Sequence, residues 1–163
     1  MGVMDFHIID NFLTQEQFNN IKQACFSKDC EDNVNWFRNR VVNKEDDNYY
    51  FSHQIFYEYQ PSVLFPFMEP LLSKLNPKCV KRIKLNYYPA TEKVFKHDSH
   101  KDYPFPHKGA IFSLNTCDGG TYFGDQHVQS IENRIILFDP GKDHGSTTTT
   151  KKEGRCNINI NYF

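Results

Sequence analysis

The 163-residue sequence predicts an α+β fold that is mainly β, a sandwich or barrel with N-terminal helices packed on one sheet. Three observations carry this expectation. Helical periodicity is confined to two stretches in the first half, beginning at Thr14 and Val63. From Val80 onward the hydrophobic period changes to two. The second half is then cut into short apolar runs by Asp, Asn, Gly and Pro. With no internal repeat, low-complexity tract or linker, one domain over residues 1–163 is expected.

Residues 5–9 read as a first strand. Thr14-Gln15-Glu16-Gln17 is a capping box, in which the Thr14 hydroxyl accepts from the Gln17 backbone and the Gln17 side chain reaches back. Phe18, Ile21, Ala24 and Cys25 follow as the buried stripe of a helix that ends near 27–29. Residues 29–34 are polar and loop-like, 36–42 can be a strand, and 44–48 form a charged turn. The aromatic run 49–59 is strand-like, with a break expected near His53. A second helix covers 63–75, kinked at Pro70 and stopped by Asn76-Pro77.

In the strand from Val80, Lys81, Ile83, Leu85 and Tyr87 share one face, and Arg82, Lys84, Asn86 and Tyr88 the other. Residues 94–102 read as a further strand, followed by an irregular stretch from Tyr103 to Pro106, where two prolines forbid a central strand. Short strands are expected at 110–115, 121–123, 128–131 and 135–138, the last an apolar run buried on both faces. Turns fall at Cys117-Asp118-Gly119-Gly120, Asn133 and Asp139-Pro140-Gly141. Residues 147–150 have β propensity, 151–154 turn, and 155–162 form the last strand.

At 39% hydrophobic and 15% aromatic residues, the chain can bury a real core. A formal charge of −1 gives no basic footprint for nucleic acid. No run of about 18 apolar residues is available to span a membrane, and the first nine residues lack the basic-then-apolar pattern of a signal peptide. The five cysteines (Cys25, Cys30, Cys79, Cys117 and Cys156) are scattered and include no Cys-x-x-Cys pair. Reduced thiols and a cytoplasmic location are the simplest expectation.

Chemistry is concentrated at His100-Lys101-Asp102. On a strand, His100 and Asp102 present an imidazole and a carboxylate to one face. His144 would complete two histidines and one carboxylate, a set that leaves adjacent metal positions open and suits non-haem Fe(II) oxygenases. Arg155 follows His144 by 11 residues, so one short hairpin carries both. If Arg155 points inward it needs an anion, because an unpaired buried guanidinium costs several kcal/mol. Its fork matches a carboxylate in two parallel hydrogen bonds, so a dicarboxylate cosubstrate would satisfy it.

Taken in order, the features resemble the prolyl-4-hydroxylase-type branch of the 2-oxoglutarate- and Fe(II)-dependent dioxygenases. They are Ile8-Ile9-Asp10-Asn11-Phe12-Leu13 before a helix, Leu85-Asn86-Tyr87-Tyr88, His100-x-Asp102, Leu114-Asn115 with Gly119-Gly120-Thr121, Leu137-Phe138-Asp139, His144 and Arg155. The resemblance implies a double-stranded β-helix (jelly roll), with His100, Asp102 and His144 holding Fe(II). It implies that 2-oxoglutarate chelates the iron and places its distal carboxylate on Arg155. One of Tyr87 and Tyr88 would contact the cosubstrate, Asn157 would assist, and Thr121 is a further candidate. Dioxygen would be the oxidant, with ascorbate an accessory reductant. The product would be a hydroxylated aliphatic C–H in a peptide, protein or small-molecule substrate, peptidyl proline being the best-known target. The 44 residues from His100 to His144 are fewer than the family often places there, and no acidic residue separates Gly120 from Thr121.

His53, His107 and His127 read as surface or half-buried residues, and strand alternation turns His97 away from His100. Trp36, Arg38 and Arg40 read as an edge strand ahead of a substrate mouth, and 103–106 as part of a lid. Asn159 and Asn161 fit a solvated polar face as well as a cavity wall. The rival function is a non-redox cupin-like metal jelly roll, an isomerase or small-molecule binder, which would not need the Arg155 clamp. A non-catalytic interaction module would bury His and Asp at a cost with no return.

Overall fold

The computed structural model describes residues 6–27, 34–40 and 48–163. The loop expected at 29–34, the turn at 44–48 and Cys30 fall largely or wholly outside these residues. Among the described residues eleven strands and two α-helices follow in chain order: β1 (Phe6–Ile9), α1 (Gln15–Cys25), β2 (Phe37–Arg40), β3 (Tyr49–Tyr57), β4 (Gln60–Pro61), α2 (Glu69–Leu75), β5 (Val80–Tyr88), β6 (Lys108–Ser113), β7 (Gly120–Phe123), β8 (Gln126–Gln129), β9 (Ile135–Phe138), β10 (Gly145–Ser146) and β11 (Arg155–Tyr162).

The large sheet runs β1-β9-β6-β11-β5-β3-β2, with β4 hydrogen-bonded to β3, and the small sheet runs β10-β7-β8. Every named strand pair is antiparallel. Both helices pack on one face of the large sheet. Phe18, Ile21 and Cys25 of α1 and Met68 and Leu71 around α2 join Ile83, Leu85, Phe112, Ile158 and Ile160 in one apolar core. Phe18 meets Phe112 edge-on, with ring centroids 6.0 Å apart. Fully burying either ring contributes about 2–3 kcal/mol. A smaller cluster of Ile111, Val128, Ile136 and Phe138 joins the two sheets. The jelly roll with helices on one sheet is therefore the observed architecture.

The capping box is present, with Gln17 N donating to Thr14 Oγ1 and Thr14 N to Gln17 Oε1. The expected second helix is split into a 3-10 turn at Phe65–Met68 and α2, because Pro70 occupies the first turn of α2 and has no amide to continue a helix through it. β3 is unbroken at His53; its register shifts instead between Gln54 and Phe56. His53 is buried, held by the Asn35 carbonyl and the Ser62 hydroxyl. β2 is an edge strand, and its Arg38 lies over the Tyr49 ring.

One correction bears on the site. Residues 94–102 do not form a strand. Lys96 and His100 make isolated bridges to Thr147 and His144 instead. Two side chains of this segment nevertheless reach one point, because His100 and His144 exchange both main-chain hydrogen bonds, at 2.8 and 3.0 Å.

Two glycines bring β7 close to its neighbours. A Cβ on Gly119 would lie 2.2 Å from the Thr148 carbonyl oxygen, and one on Gly120 would lie 2.1 Å from that of Val128. Asp118 fixes the same corner. Its Oδ1 accepts from Thr149 Oγ1 (2.6 Å) and Thr150 N (3.0 Å), and its Oδ2 from Thr150 Oγ1 (2.5 Å). These bonds, Thr149's first, hold the carboxyl at about 2. Its folded pKa lies below the unfolded value of 3.8, so the stabilisation is full above about pH 4 and is lost as pH falls through about 2. Asp118→Asn should cost ~1 kcal/mol at neutral pH after allowing for solvent screening. In urea unfolding, the gap from wild type should close on acidification towards pH 2.

Candidate metal centre

The two sheets enclose a cavity of about 250 Å³ beyond the smaller apolar cluster. Its floor is the inward face of two adjacent strands, and their register fixes the order of side chains. Arg155 stands opposite Tyr88, Asn157 opposite Asn86, Asn159 opposite Lys84 and Asn161 opposite Arg82. The other face of the same strands, with Ile158, Ile160, Ile83 and Leu85, builds the helix-side core. Period-two alternation thus sends Arg155, Asn157, Asn159 and Asn161, with Tyr88, Asn86, Lys84 and Arg82 opposite them, into the sandwich.

His100, Asp102 and His144 converge at the Asn161 end. One ligand atom from each lies within 4.8 Å of the others. Asp102 Oδ1 is 3.7 Å from His100 Nε2 and 3.9 Å from His144 Nε2. His144 Nδ1 lies 3.0 Å from the Lys142 carbonyl. A carbonyl only accepts, so Nδ1 carries the proton and Nε2 turns a lone pair towards the cluster. That Nε2 is buried and has no hydrogen-bond partner. Burial pushes the His144 pKa down, against the pull of Lys142's carbonyl and Asp102, and favours the neutral ring that a metal needs.

Asp102 is held as a carboxylate. Burial alone would raise its pKa, but His100, Arg82, Asn161 and His144 together outweigh burial and keep it well below the usual range. Arg82 Nη2 lies 3.4 Å from Oδ1, and Asn161 Nδ2 donates to Oδ2 at 2.8 Å. Asn161 also contacts His107 Nε2 at 3.2 Å. Removing a group that orients a ligand typically costs 10–100-fold in metal affinity. Asn161→Ala should therefore weaken binding of a divalent metal at this cluster by roughly that factor in a chelator competition, with far-ultraviolet circular dichroism unchanged.

At the far end of the floor Arg155 is 1% exposed. Nη1 donates to the Thr147 carbonyl and Nη2 to Thr121 Oγ1, both at 3.1 Å, and the guanidinium lies over the Tyr88 ring at 4.9 Å. Among the described residues no carboxylate pairs with it, and its Nε has no partner. Burial pushes its pKa down, and a guanidinium nevertheless stays protonated in proteins. A buried cation without a carboxylate among the described residues makes this pocket a candidate anion site.

Of the expected site residues, His100, Asp102, His144, Arg155, Tyr88, Asn157 and Thr121 all line this cavity. Tyr87 does not. Its ring faces the helix side and packs with Phe26, Trp36 and Phe51, because neighbours on a strand point to opposite faces. Trp36, Arg38 and Arg40 are not among the cavity-lining residues. Tyr103, Phe105 and His107 border an adjoining depression that shares Lys101 and Asp102 with the cavity. Sequence reasoning gave no site role to the wall residues His97, Arg82 and Lys84, and it left Asn159 and the Asp102 partner Asn161 open between a solvated face and a cavity wall. His97 is 3% exposed, stacks on Tyr88 and contacts Ser146 Oγ at 2.9 Å. This segment does not follow the strand alternation that would turn His97 away from His100.

No family model matches the sequence, and no curated protein matches it. Solved structures do match its fold. A prolyl hydroxylase from Trichoplax adhaerens, in complex with a hypoxia inducible factor oxygen degradation domain peptide, superposes with a TM-score of 0.70 at 14% identity, covering 98% of this chain and 83% of its own. A prolyl-4-hydroxylase from Pseudomonas putida gives 0.63 at 13% identity, covering 97% and 92%. HygX from Streptomyces hygroscopicus, with nickel, 2-oxoglutarate and hygromycin B bound, gives 0.62 at 10% identity, covering 97% and 82%. The chain has the fold of these proteins and of a 2OG-Fe(II) oxygenase family member from Burkholderia pseudomallei, which superposes with a TM-score of 0.68 at 10% identity and covers 97% of this chain and 84% of its own.

Proposed function

We propose that this protein is an Fe(II)- and 2-oxoglutarate-dependent dioxygenase that hydroxylates an aliphatic C–H bond. The observation that carries this reading is Arg155, a buried guanidinium without a carboxylate in the same cavity as a His-Asp-His cluster. A non-redox cupin-like site would keep the cluster and leave that cation without a purpose. The residues fit the metal, since two imidazoles and a carboxylate converge and His144 Nε2 is buried with no other partner.

His100, Asp102 and His144 would hold Fe(II). Bound there, iron would couple splitting of dioxygen to decarboxylation of 2-oxoglutarate, one oxygen atom going to succinate and the other to the substrate C–H, with CO2 released. The protein's own contribution is positional. Arg155, steadied by Thr147 and Thr121, would take the distal carboxylate in a bidentate pair, and Tyr88 would form the wall beside it. Asn157, bonded to Asn86, continues the floor between the clamp and the metal ligands. Arg82 and Asn161 keep Asp102 ionised and aimed. The peptide-bound relative from Trichoplax and the antibiotic-bound relative from Streptomyces keep both a peptidyl prolyl and a small-molecule substrate in view.

The test is anaerobic addition of Fe(II) and 2-oxoglutarate, watched for the weak visible charge-transfer band of a chelated 2-oxo acid. A band that forms in the wild type is the expected result. Its absence would overturn the assignment.

A further inference from the structure

Lys84 has no role in the reading above, yet it stands on the cavity floor. Its Nζ lies 3.5 Å from the Tyr50 hydroxyl and 5.4 Å from the Tyr50 ring centroid. Among the described residues no carboxylate is paired with it. Asp102 acts on it only through space and is already engaged by Arg82 and Asn161. Burial, with Arg82 nearby, pushes its pKa down to about 8, so at neutral pH it is still a cation. Across the strand stands Asn159, 8% exposed, whose Oδ1 is buried without a partner. A desolvated ammonium beside an unsatisfied carboxamide is costly unless a ligand completes it.

The Lys84–Asn159 pair is distinct from the Arg155 clamp. Four residues separate them on each strand, roughly 13 Å along the floor. The cavity's charges show which ligand is missing. Arg82, Lys84 and Arg155 with a divalent metal outweigh Asp102 and a doubly ionised 2-oxo diacid by about two positive charges. Lys101 and Asp98, both exposed at the rim, offset each other. A 2-oxo acid that chelates the metal has its inner carboxylate neutralised there, which leaves Lys84 for something else.

We propose that Lys84, with Asn159 and the Tyr50 hydroxyl, binds a carboxylate of the substrate, so the C–H donor is an acid. This rests on the oxygenase reading and adds the substrate's chemical class to it. The carboxylate could belong to a free amino acid or to an acidic side chain of a peptide; the cavity volume of about 250 Å³ favours the free acid.

The experiment uses protein loaded anaerobically with Fe(II) and 2-oxoglutarate. The probes are the free L-amino acids, their carboxamides, and acetylated tripeptide amides containing Asp or Glu. Binding is read by calorimetry, and succinate release is read after oxygen is admitted. At least one acid should bind and stimulate succinate release while its carboxamide does not, the free and peptide arms identifying the source. Lys84→Met should raise that acid's Kd about tenfold or more. It should leave the charge-transfer band and the 2-oxoglutarate KM within about twofold, and Lys84→Arg should recover part of the affinity. Carboxamides that act as well as acids, a panel with no active member, or Lys84→Met with an unchanged Kd would each overturn the proposal. A large rise in 2-oxoglutarate KM in Lys84→Met would also overturn it, by assigning Lys84 to the cosubstrate. Absence of the band in wild type removes the oxygenase reading beneath it, whereas a normal band without a Lys84 effect removes this inference alone.

Discussion

Replacing Arg155 with alanine is expected to raise the 2-oxoglutarate concentration for half-maximal succinate release by ~100-fold or more. Truncating one partner of a buried, hydrogen-bonded charge pair costs roughly 2–5 kcal/mol, and 100-fold corresponds to ~2.7 kcal/mol. The loss should not fall at the bottom of that range, because the guanidinium is 1% exposed and water cannot easily replace it. Arg155→Lys should recover only part of the loss, since an ammonium cannot make two parallel bonds from the same position. Binding of Fe(II) alone should be little changed, because Arg155 stands at the other end of the floor from Asn161 and Asp102. A KM for 2-oxoglutarate that stays within threefold of wild type would rule out the clamp and favour a cupin-like site.

The second large effect concerns His144. On the proposed reading His144→Ala removes one of three metal ligands, and the nitrogen it removes is buried without a hydrogen-bond partner among the described residues. The charge-transfer band should disappear at Fe(II) concentrations that saturate wild type, and succinate release should fall at least ~1,000-fold, a loss of ~4 kcal/mol. Its main-chain exchange with His100 survives the substitution, so near-native circular dichroism is expected. A band that persists unchanged in His144→Ala would mean that the metal binds elsewhere.

Much of this was legible in the residues. The alternation in β5 and β11, the capping box at Thr14 and the apolar run of β9 each match the structure closely. They are local signals, set by side-chain period or by one hydrogen-bonded turn. What the sequence hid was orientation. Alternation separates Asn159 and Asn161 from Ile158 and Ile160, but polar residues on one face read equally as solvent-facing or as the wall of a polar interior. Only the small sheet closing over them decides, and that contact is between elements far apart in sequence. The strand expected over residues 94–102 is absent, yet His100 and Asp102 still meet His144. His100 and Asp102 converge through one bridge to His144 and the turn beyond it, and not through a regular strand. His97 was lost by the same assumption.

β11 is hydrogen-bonded to β5 on one edge and to β6 on the other, and its eight residues are all buried. It carries the guanidinium at its first position and the Asp102 partner Asn161 at its seventh. A strand clamped along both sides cannot stretch or slide, so the spacing between those two positions is fixed. On the proposed reading, oxaloacetate, one carbon shorter than 2-oxoglutarate, and 2-oxoadipate, one carbon longer, should then serve poorly as cosubstrates. Selectivity for cosubstrate length would in that sense be a mechanical property of the sheet.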